Sequence, residues 1–274
     1  MDTIKIKIFA KVNLALDVKG SYPDGYHKLD MLMASVDMYD TLCLTVSDQN
    51  LVTMDGVIVG EENTAVRALE SLTKAFGVHM RVDILKDIPL NAGLGGSSAD
   101  AAGVFVGASK LFGIDIAKTY GLAQKVGSDV PYMMRGGFCR VSGRGEIVEP
   151  IDMDDMNLVI LQAEYGAPTA KVYQEYDRCP IPPSDVDQAI ANIRSTGRGF
   201  FNKLQDAAIR LCPSIEYSIG ALKLYTDRAF MTGSGSAVVG VFDDEMQARW
   251  CELNFGGYLC AKALKTKKVG YEIL

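Results

Sequence analysis

Residues 88–103 read IPLNAGLGGSSADAAG. Four close-set small residues, Gly93, Gly95, Gly96 and Ser97, run into Ser98 and an alanine-rich stretch, and the pattern predicts a small-residue helix from Ser97 to Phe112. Glycine allows positive φ and close backbone approach, so successive N–H groups can converge on an anion at the positive end of that helix. The spacing describes either a phosphate cradle or a tight helix-packing turn, and spacing alone leaves both open. It is not a Walker A loop, because no G-x-x-x-x-G-K-[ST] is present, and it lacks the strand-then-G-x-G-x-x-G setting of a dinucleotide fold.

Upstream of the loop, residues 4–18 place Ile4, Ile6, Ile8, Ala10, Val12, Leu14, Leu16 and Val18 on one parity. Lys5, Lys7, Lys11, Asn13 and Asp17 fall on the other, which is the period of a half-buried strand and makes Lys11 and Asn13 neighbours on one face. A Pro-Asp-Gly turn at 23–25 and a second alternating run at Leu42, Leu44 and Val46 suggest an antiparallel start. Asn63 or Thr64 can cap a helix that ends at Gly77, and a strand follows over 78–84. Downstream, a helix is expected from Asp115 to Val126, then short strands and turns around Gly136–Gly145.

The acidic turn at 152–155 leads into a buried-looking strand, Leu158–Leu161, and marks the expected boundary between a domain of residues 1–152 and one of 153–274. Beyond it come a Pro-rich connector at 180–183, a Ser184-capped helix, and helices near 202–211 and 214–225. A strand at 237–242, a helix near 246–253 and a final strand near 258–264 complete the pattern. Strands and helices mixed in this way indicate an α+β fold and not a βαβ Rossmann succession. The lysines at 262, 265, 267 and 268 read as a solvated face.

Of the 274 residues 48% are hydrophobic and 23% charged, a balance that supports a sizeable core and excludes disorder, collagen and a small disulfide scaffold. A formal charge of −6 argues against nucleic-acid binding, whose affinity comes from clustered Lys and Arg. The six cysteines form no C-x-x-C pair and have no histidine nearby, so buried free thiols in a reducing compartment are expected, with no zinc site. Without a signal-like or membrane-spanning apolar run, the expected location is the cytoplasm.

Three further stretches could carry chemistry. In Gly127-Ser128-Asp129-Val130-Pro131 an acid stands between a helix stop and a proline, where Asp also serves as a turn or cap residue. Thr232-Gly233-Ser234-Gly235-Ser236 is a hydroxyl and glycine turn before a strand, equally readable as an ordinary loop. Tyr26 and His27 follow the Pro-Asp-Gly turn, and an aromatic beside a histidine suits an aromatic ligand as well as simple turn packing.

Together these stretches resemble the GHMP kinases, the superfamily of galactokinase, homoserine kinase and mevalonate kinase. The glycine loop is similar to their central ATP motif and TGSGSA to their third motif. Residues 10–42, AKVNLALDVKGSYPDGYHKLDMLMASVDMYDTL, resemble the N-terminal signature of one branch, the 4-diphosphocytidyl-2-C-methyl-D-erythritol kinases of the non-mevalonate isoprenoid pathway, as do GSDVP and SGRGE at 142–146. The resemblance implies a two-lobed α+β fold, with a mixed or antiparallel N-terminal sheet carrying helices and a ferredoxin-like C-terminal layer. It implies ATP with Mg²⁺ and transfer to the 2-hydroxyl of an acceptor bearing cytidine diphosphate, by a monomer or weak homodimer with no nucleic-acid or membrane partner. A homoserine- or mevalonate-type kinase and a non-catalytic nucleotide-binding homologue are the alternatives.

By the same resemblance Asp129 is the catalytic acid and Lys11 the catalytic lysine, while Gly93, Leu94, Gly95, Gly96, Ser97 and Ser98 cradle phosphates and Asn63, Lys86 and Pro89 line the adenine pocket. Asn13 holds the acceptor alcohol, Tyr26 and Tyr173 cover the two faces of the base, His27 reads its edge, and Gly233 and Ser234 face the acceptor. No dedicated metal cage is implied. The sequence departs from the family pattern at Ser97, usually glycine, at Asn202-Lys203-Leu204-Gln205, usually N-D-L-E, and at Pro168, usually serine.

Overall fold

The alternation at the N-terminus produces a strand longer than its apolar pattern: β1 runs Thr3–Ser21 and pairs antiparallel along its whole length with β2, His27–Val46. Only the end of β2 alternates visibly. Its first half, from Asp30 to Val36, is buried on both sides and so reads as a continuous run. In chain order there follow β3 (Leu51–Met54), β4 (Val57–Ile58), α1 (Thr64–Phe76), β5 (Met80–Leu85), α2 (Gly96–Phe112), α3 (Tyr120–Val126), α4 (Val130–Arg135), β6 (Cys139–Gly143) and β7 (Ile147–Pro150). The second part holds β8 (Asn157–Gln162), α5 (Thr169–Arg178), α6 (Val186–Thr196), β9 (Phe201–Asn202), α7 (Gln205–Leu211), α8 (Ser214–Leu222), β10 (Ala229–Met231), β11 (Val238–Phe242), α9 (Glu245–Glu252), β12 (Cys260–Lys267) and β13 (Tyr271–Ile273). This computed structural model describes residues 2–274.

The strands of the second part lie in the order β10-β11-β8-β12, every neighbour antiparallel, which is the ferredoxin-like arrangement expected. The two parts are stitched together through strands. The end of β12 pairs with β2 at Thr266 and Val36, β9 adds parallel to β1, and β13 adds antiparallel to β1. The expected boundary at 152/153 falls between β7 and β8, yet three later strands, β9, β12 and β13, pair with the first sheet.

These additions correct the half-buried reading of β1. Lys11, Asn13 and Asp17, placed on a solvent-facing parity, are all buried, Lys11 against Gly95 of the glycine loop and Asn13 and Asp17 against Thr232 and Ser184 of the second part. Asp17 accepts the Ser184 amide at 2.9 Å and pairs with Lys19 at 2.8 Å. Ser184 therefore does not cap α6, whose N-cap is Asp185, bonded to the Gln188 amide.

On the opposite face α2 lies directly on the sheet, buried from Ala99 to Ala108. Its small residues make this approach possible: a Cβ on Gly103 or Gly107 would fall 2.6 or 2.5 Å from Leu42 or Leu44 of β2. Other expected elements stand with adjusted ends. The segment 115–126 divides into a 3₁₀ turn, Ile116–Thr119, and α3, while the helix expected over 202–211 begins only at Gln205, after β9. The four C-terminal lysines pair with Asp87, Glu245, Glu272 and Asp155 at the surface. No helix among the described residues is long and apolar enough to cross a membrane.

Candidate functional site

A cleft of about 810 Å³ opens between the two parts, walled by the glycine loop, the start of α4, the turn before β2 and the N-terminal half of α5. Gly93 and Gly95 adopt φ of +78° and +76°, and α2 starts at Gly96. Gly95 carries no side chain to cap the helix, so the first-turn N–H groups of Gly96, Ser97 and Ser98 are free to serve an anion at the positive helix end. The loop is locked from both sides. The Lys11 amide donates to the Leu94 carbonyl at 3.0 Å, and a Cβ on Gly95 would sit 2.4 Å from Met133 Cε.

The second glycine turn touches the first. A Cβ on Gly93 would lie 2.6 Å from the Thr232 carbonyl oxygen, and one on Gly233 would lie 2.4 Å from that of Gly93. Thr232 Oγ1 accepts the Asn13 amide at 2.8 Å, and Ser234 Oγ meets Thr169 Oγ1 at 2.8 Å, tying the turn to β1 and to α5. The sequence reading missed the groups that hold it in place. Asn202 Nδ2 donates to the carbonyls of Met231 and Gly233 at 2.9 and 2.8 Å, and Gln205 Oε1 accepts the Met231 amide at 2.9 Å. The departure at 202–205 thus retains an oxygen acceptor where a glutamate would have stood.

On the floor of the cleft, β1 presents Lys11 and Asn13, with Lys11 Nζ donating to Asn13 Oδ1 at 2.7 Å. Lys11 Nζ is also 3.6 Å from Asp129 Oδ2. Lys11 is 4% exposed, so these partners offset the cost of burying its ammonium. Asp129 stands at the N-cap position of α4, a helix the sequence reading did not anticipate, but its side chain makes no capping bond. Its carboxylate is partly exposed to the cleft.

At the far end of the cleft Tyr26 is 57% exposed, with the Arg144 guanidinium over its ring at 5.0 Å. His27 Nε2 lies 2.8 Å from Asp177 Oδ1, and the Tyr173 ring stacks on the imidazole, centroids 4.5 Å apart and planes at 26°. Tyr173 and Asp177 are one turn apart on α5, a helix also unforeseen in the sequence, where an i, i+4 spacing was the available signal. Desolvation and then the Asp129 charge push the Tyr173 phenol well above its ordinary pKa.

Of the three residues expected on the adenine side, only Pro89 lines this cleft. Asn63 spends its side-chain oxygen on the N-cap of α1, accepting the Ala65 amide at 2.8 Å. Lys86 is turned beneath the loop between Asp40 and Asp100, the latter at 2.8 Å, and its Nζ comes within 3.4 Å of where a Gly96 Cβ would be. Desolvation opposes its charge, but Asp100 and Asp40 outweigh it and raise its pKa. Burial drives Asp100 in the other direction from an ordinary carboxylate, up to about 7, and its Oδ1 has no partner. Asp40 Oδ1 accepts the amides of Asp87 and Ile88 at 2.7 and 2.9 Å, so the cluster anchors the chain entering the loop.

Two family models match this chain, the GHMP kinases N terminal domain over residues 63–137 and the GHMP kinases C terminal domain over 183–251. A 4-diphosphocytidyl-2-C-methyl-D-erythritol kinase of Thermoanaerobacter sp. is 36% identical over 259 residues, covering 89% of each chain. That of Caldanaerobacter subterraneus subsp. tengcongensis is 32% identical and covers 99% of each. The crystal structure of a 4-(cytidine 5'-diphospho)-2C-methyl-D-erythritol kinase superposes with a TM-score of 0.82 at 29% identity, over 96% of this chain and 98% of that one. A homoserine kinase from Cytophaga hutchinsonii, at 16% identity and a TM-score of 0.74, shares the fold. With two glycine turns interlocked above a buried lysine and an uncapped aspartate, and with relatives of this identity along nearly its whole length, the chain belongs to the 4-diphosphocytidyl-2-C-methyl-D-erythritol kinase family of the GHMP kinases.

Proposed function

We propose that the protein phosphorylates the 2-hydroxyl of 4-diphosphocytidyl-2-C-methyl-D-erythritol, with ATP as donor, in isoprenoid precursor synthesis. The observation that supports this best is the single cleft in which Lys11 and Asp129 lie between the glycine-lined start of α2 and the exposed aromatic turn at Tyr26. In this reading Asp129 accepts the proton of the attacking hydroxyl, and Lys11 orients that hydroxyl and offsets negative charge on the moving phosphoryl group. Asn13, bonded to Lys11, holds the acceptor alcohol from the same strand. The Gly93–Ser98 loop receives phosphate oxygens through its backbone, Pro89 borders the adenine, and Asn63 and Lys86 support this side from behind the loop.

Mg²⁺ would supply charge neutralisation at the phosphates. Ser98, an oxygen donor lining the cleft beside the loop, fits a cation that keeps most of its waters. On the acceptor side Tyr26 stacks on the base, Tyr173 closes over it after leaving His27, and His27 reads its polar edge; Gly233 and Ser234 border the methylerythritol end. We assign the activity to the cytoplasm, where the free cysteines stay reduced.

ADP release measured in parallel with 4-diphosphocytidyl-2-C-methyl-D-erythritol, homoserine and mevalonate tests the proposal. Turnover is expected on the cytidylated alcohol alone. ATP binding with no ADP release on any of the three would leave a nucleotide-binding GHMP fold without this activity.

A further inference from the structure

We propose that Arg144 determines acceptor specificity as a positioning residue, bracing Tyr26 so that one face of its ring stands ready for the base. This rests on the reading of the cleft as a site for a cytidylated alcohol. Arg144 belongs to the SGRGE turn between β6 and β7, which the mechanism leaves without a role. The turn is seated firmly. Gly143 and Gly145 take φ of +74° and +110°, and a Cβ on Gly145 would lie 2.4 Å from the Ser128 carbonyl oxygen, next to Asp129. The Glu146 carboxylate folds under the turn and accepts the Arg144 amide at 2.5 Å.

From this base the guanidinium reaches the other turn of the cleft. Its Cζ lies 4.4 Å from the Tyr22 ring centroid and 5.0 Å from that of Tyr26, while Nη1 pairs with Asp24 at 2.6 Å. Asp24 in turn accepts the Tyr26 amide through Oδ1 at 3.2 Å. Only a planar cation can lie against aromatic rings with its faces and still donate to a carboxylate with its edge, a combination a lysine ammonium does not reproduce.

The Tyr26 turn has little else to hold it. Its backbone is closed by Tyr22 N–H to the Tyr26 carbonyl at 2.7 Å and Gly25 N–H to the Tyr22 carbonyl at 3.0 Å, and the Tyr26 ring is more than half exposed. An unbraced ring on such a turn samples several rotamers, and a ligand must then order it on binding. With a guanidinium over one face, the ring is ordered beforehand and offers the other face. Arg144 thereby links the base-stacking turn to the backbone that carries Asp129.

The test is a double-mutant cycle on the intact chain, with CDP and cytidine as titration probes and steady-state KM values for acceptor and ATP. Arg144→Ala and Arg144→Lys should each weaken CDP and cytidine by the same factor, roughly tenfold, and raise the acceptor KM alike. The KM for ATP, kcat and the thermal midpoint should stay at wild-type values, which separates the effect from misfolding. In a Tyr26→Ala background Arg144→Ala should add less than about twofold, because the brace then has nothing to hold. Fully additive losses, or a loss confined to CDP that marks a direct phosphate contact, would overturn the bracing role. A wild type that binds CDP while both variants bind it equally removes this inference alone. A wild type that neither binds CDP nor turns over the acceptor removes the functional reading along with it.

Discussion

The two ends of the cleft are built from different materials. The donor end is backbone: two glycine turns pressed so closely together that a single methyl group on Gly93 would clash with the Thr232 carbonyl oxygen, above a buried Lys86 ion cluster. The acceptor end is side chain, with Tyr26 mostly exposed and Asp177 56% exposed, held by one guanidinium, one imidazole and a tyrosine on α5. Every substrate's phosphates are alike, so a donor site can be fixed by main-chain shape. Choice among acceptors must reside where residues can change without disturbing the fold, and exposed turn and helix positions meet that requirement. A change at the donor end should therefore damage fold and turnover together, whereas one at the acceptor end should alter affinity alone.

The sharpest test lies at the junction between the ends. Asp129→Asn keeps the shape of the site and its lack of a cap bond, so ATP affinity should remain near wild type while kcat falls by about 10²- to 10⁴-fold. Wild-type turnover in single-cycle kinetics would remove Asp129 from the proton transfer. Gly93→Ala should come next among functional losses. Its positive φ and the 2.6 Å approach to Thr232 both oppose a side chain, so ATP affinity and thermal midpoint should drop together, with about 2–3 kcal/mol of stability lost. Unchanged melting would break the contrast between a backbone-built end and a side-chain-built one.

Tyr26→Ala should weaken the acceptor by about 5- to 150-fold, the worth of one base stack, with the thermal midpoint and ATP affinity unaltered. The last test concerns the pH dependence of stability, with no effect expected on affinity or turnover. Asp100 has its folded pKa raised to about 7, chiefly by burial, against about 4 for an unfolded aspartate. The folded state therefore holds the extra proton, and this group's contribution to stability is present below about pH 4 and lost as pH rises through about 7. Asp100→Asn should flatten that slope in denaturant titrations across the interval; an unchanged slope would place its origin elsewhere.

Much of the donor end was legible because its information is local. The Asn63 cap, the Gly77 stop and the small residues of α2 each act on neighbours within a turn or two, and all appear where the sequence implies them. Lys11 and Asn13 were correctly read as sharing a face of β1, yet that face was taken as solvated. Whether a strand face meets water depends on what covers it, and the cover here comes from the glycine loop over Lys11 and from the far half of the chain at the Asn13 to Thr232 bond. α5 escaped notice because its strongly polar sequence leaves only Val172 and Tyr176 buried. The setting of Lys86 was equally illegible: the family position suggests the nucleotide pocket, and the two carboxylates that hold the ammonium beneath the loop come from β2 and α2.

What the sequence determined by itself was therefore a set of local conformations and residue types: strand period, helix caps, the glycines that require positive φ, and the aromatic and ionisable groups available for chemistry. Only the tertiary structure decided which of these meet. It brought Lys11 to Asp129, Gly93 to Gly233, and Arg144 to Tyr26, pairs whose members are distant along the chain. The physical reason is that local backbone preferences act over a few residues, whereas the partners of a buried charge or the free face of a ring are set by packing of the whole sheet.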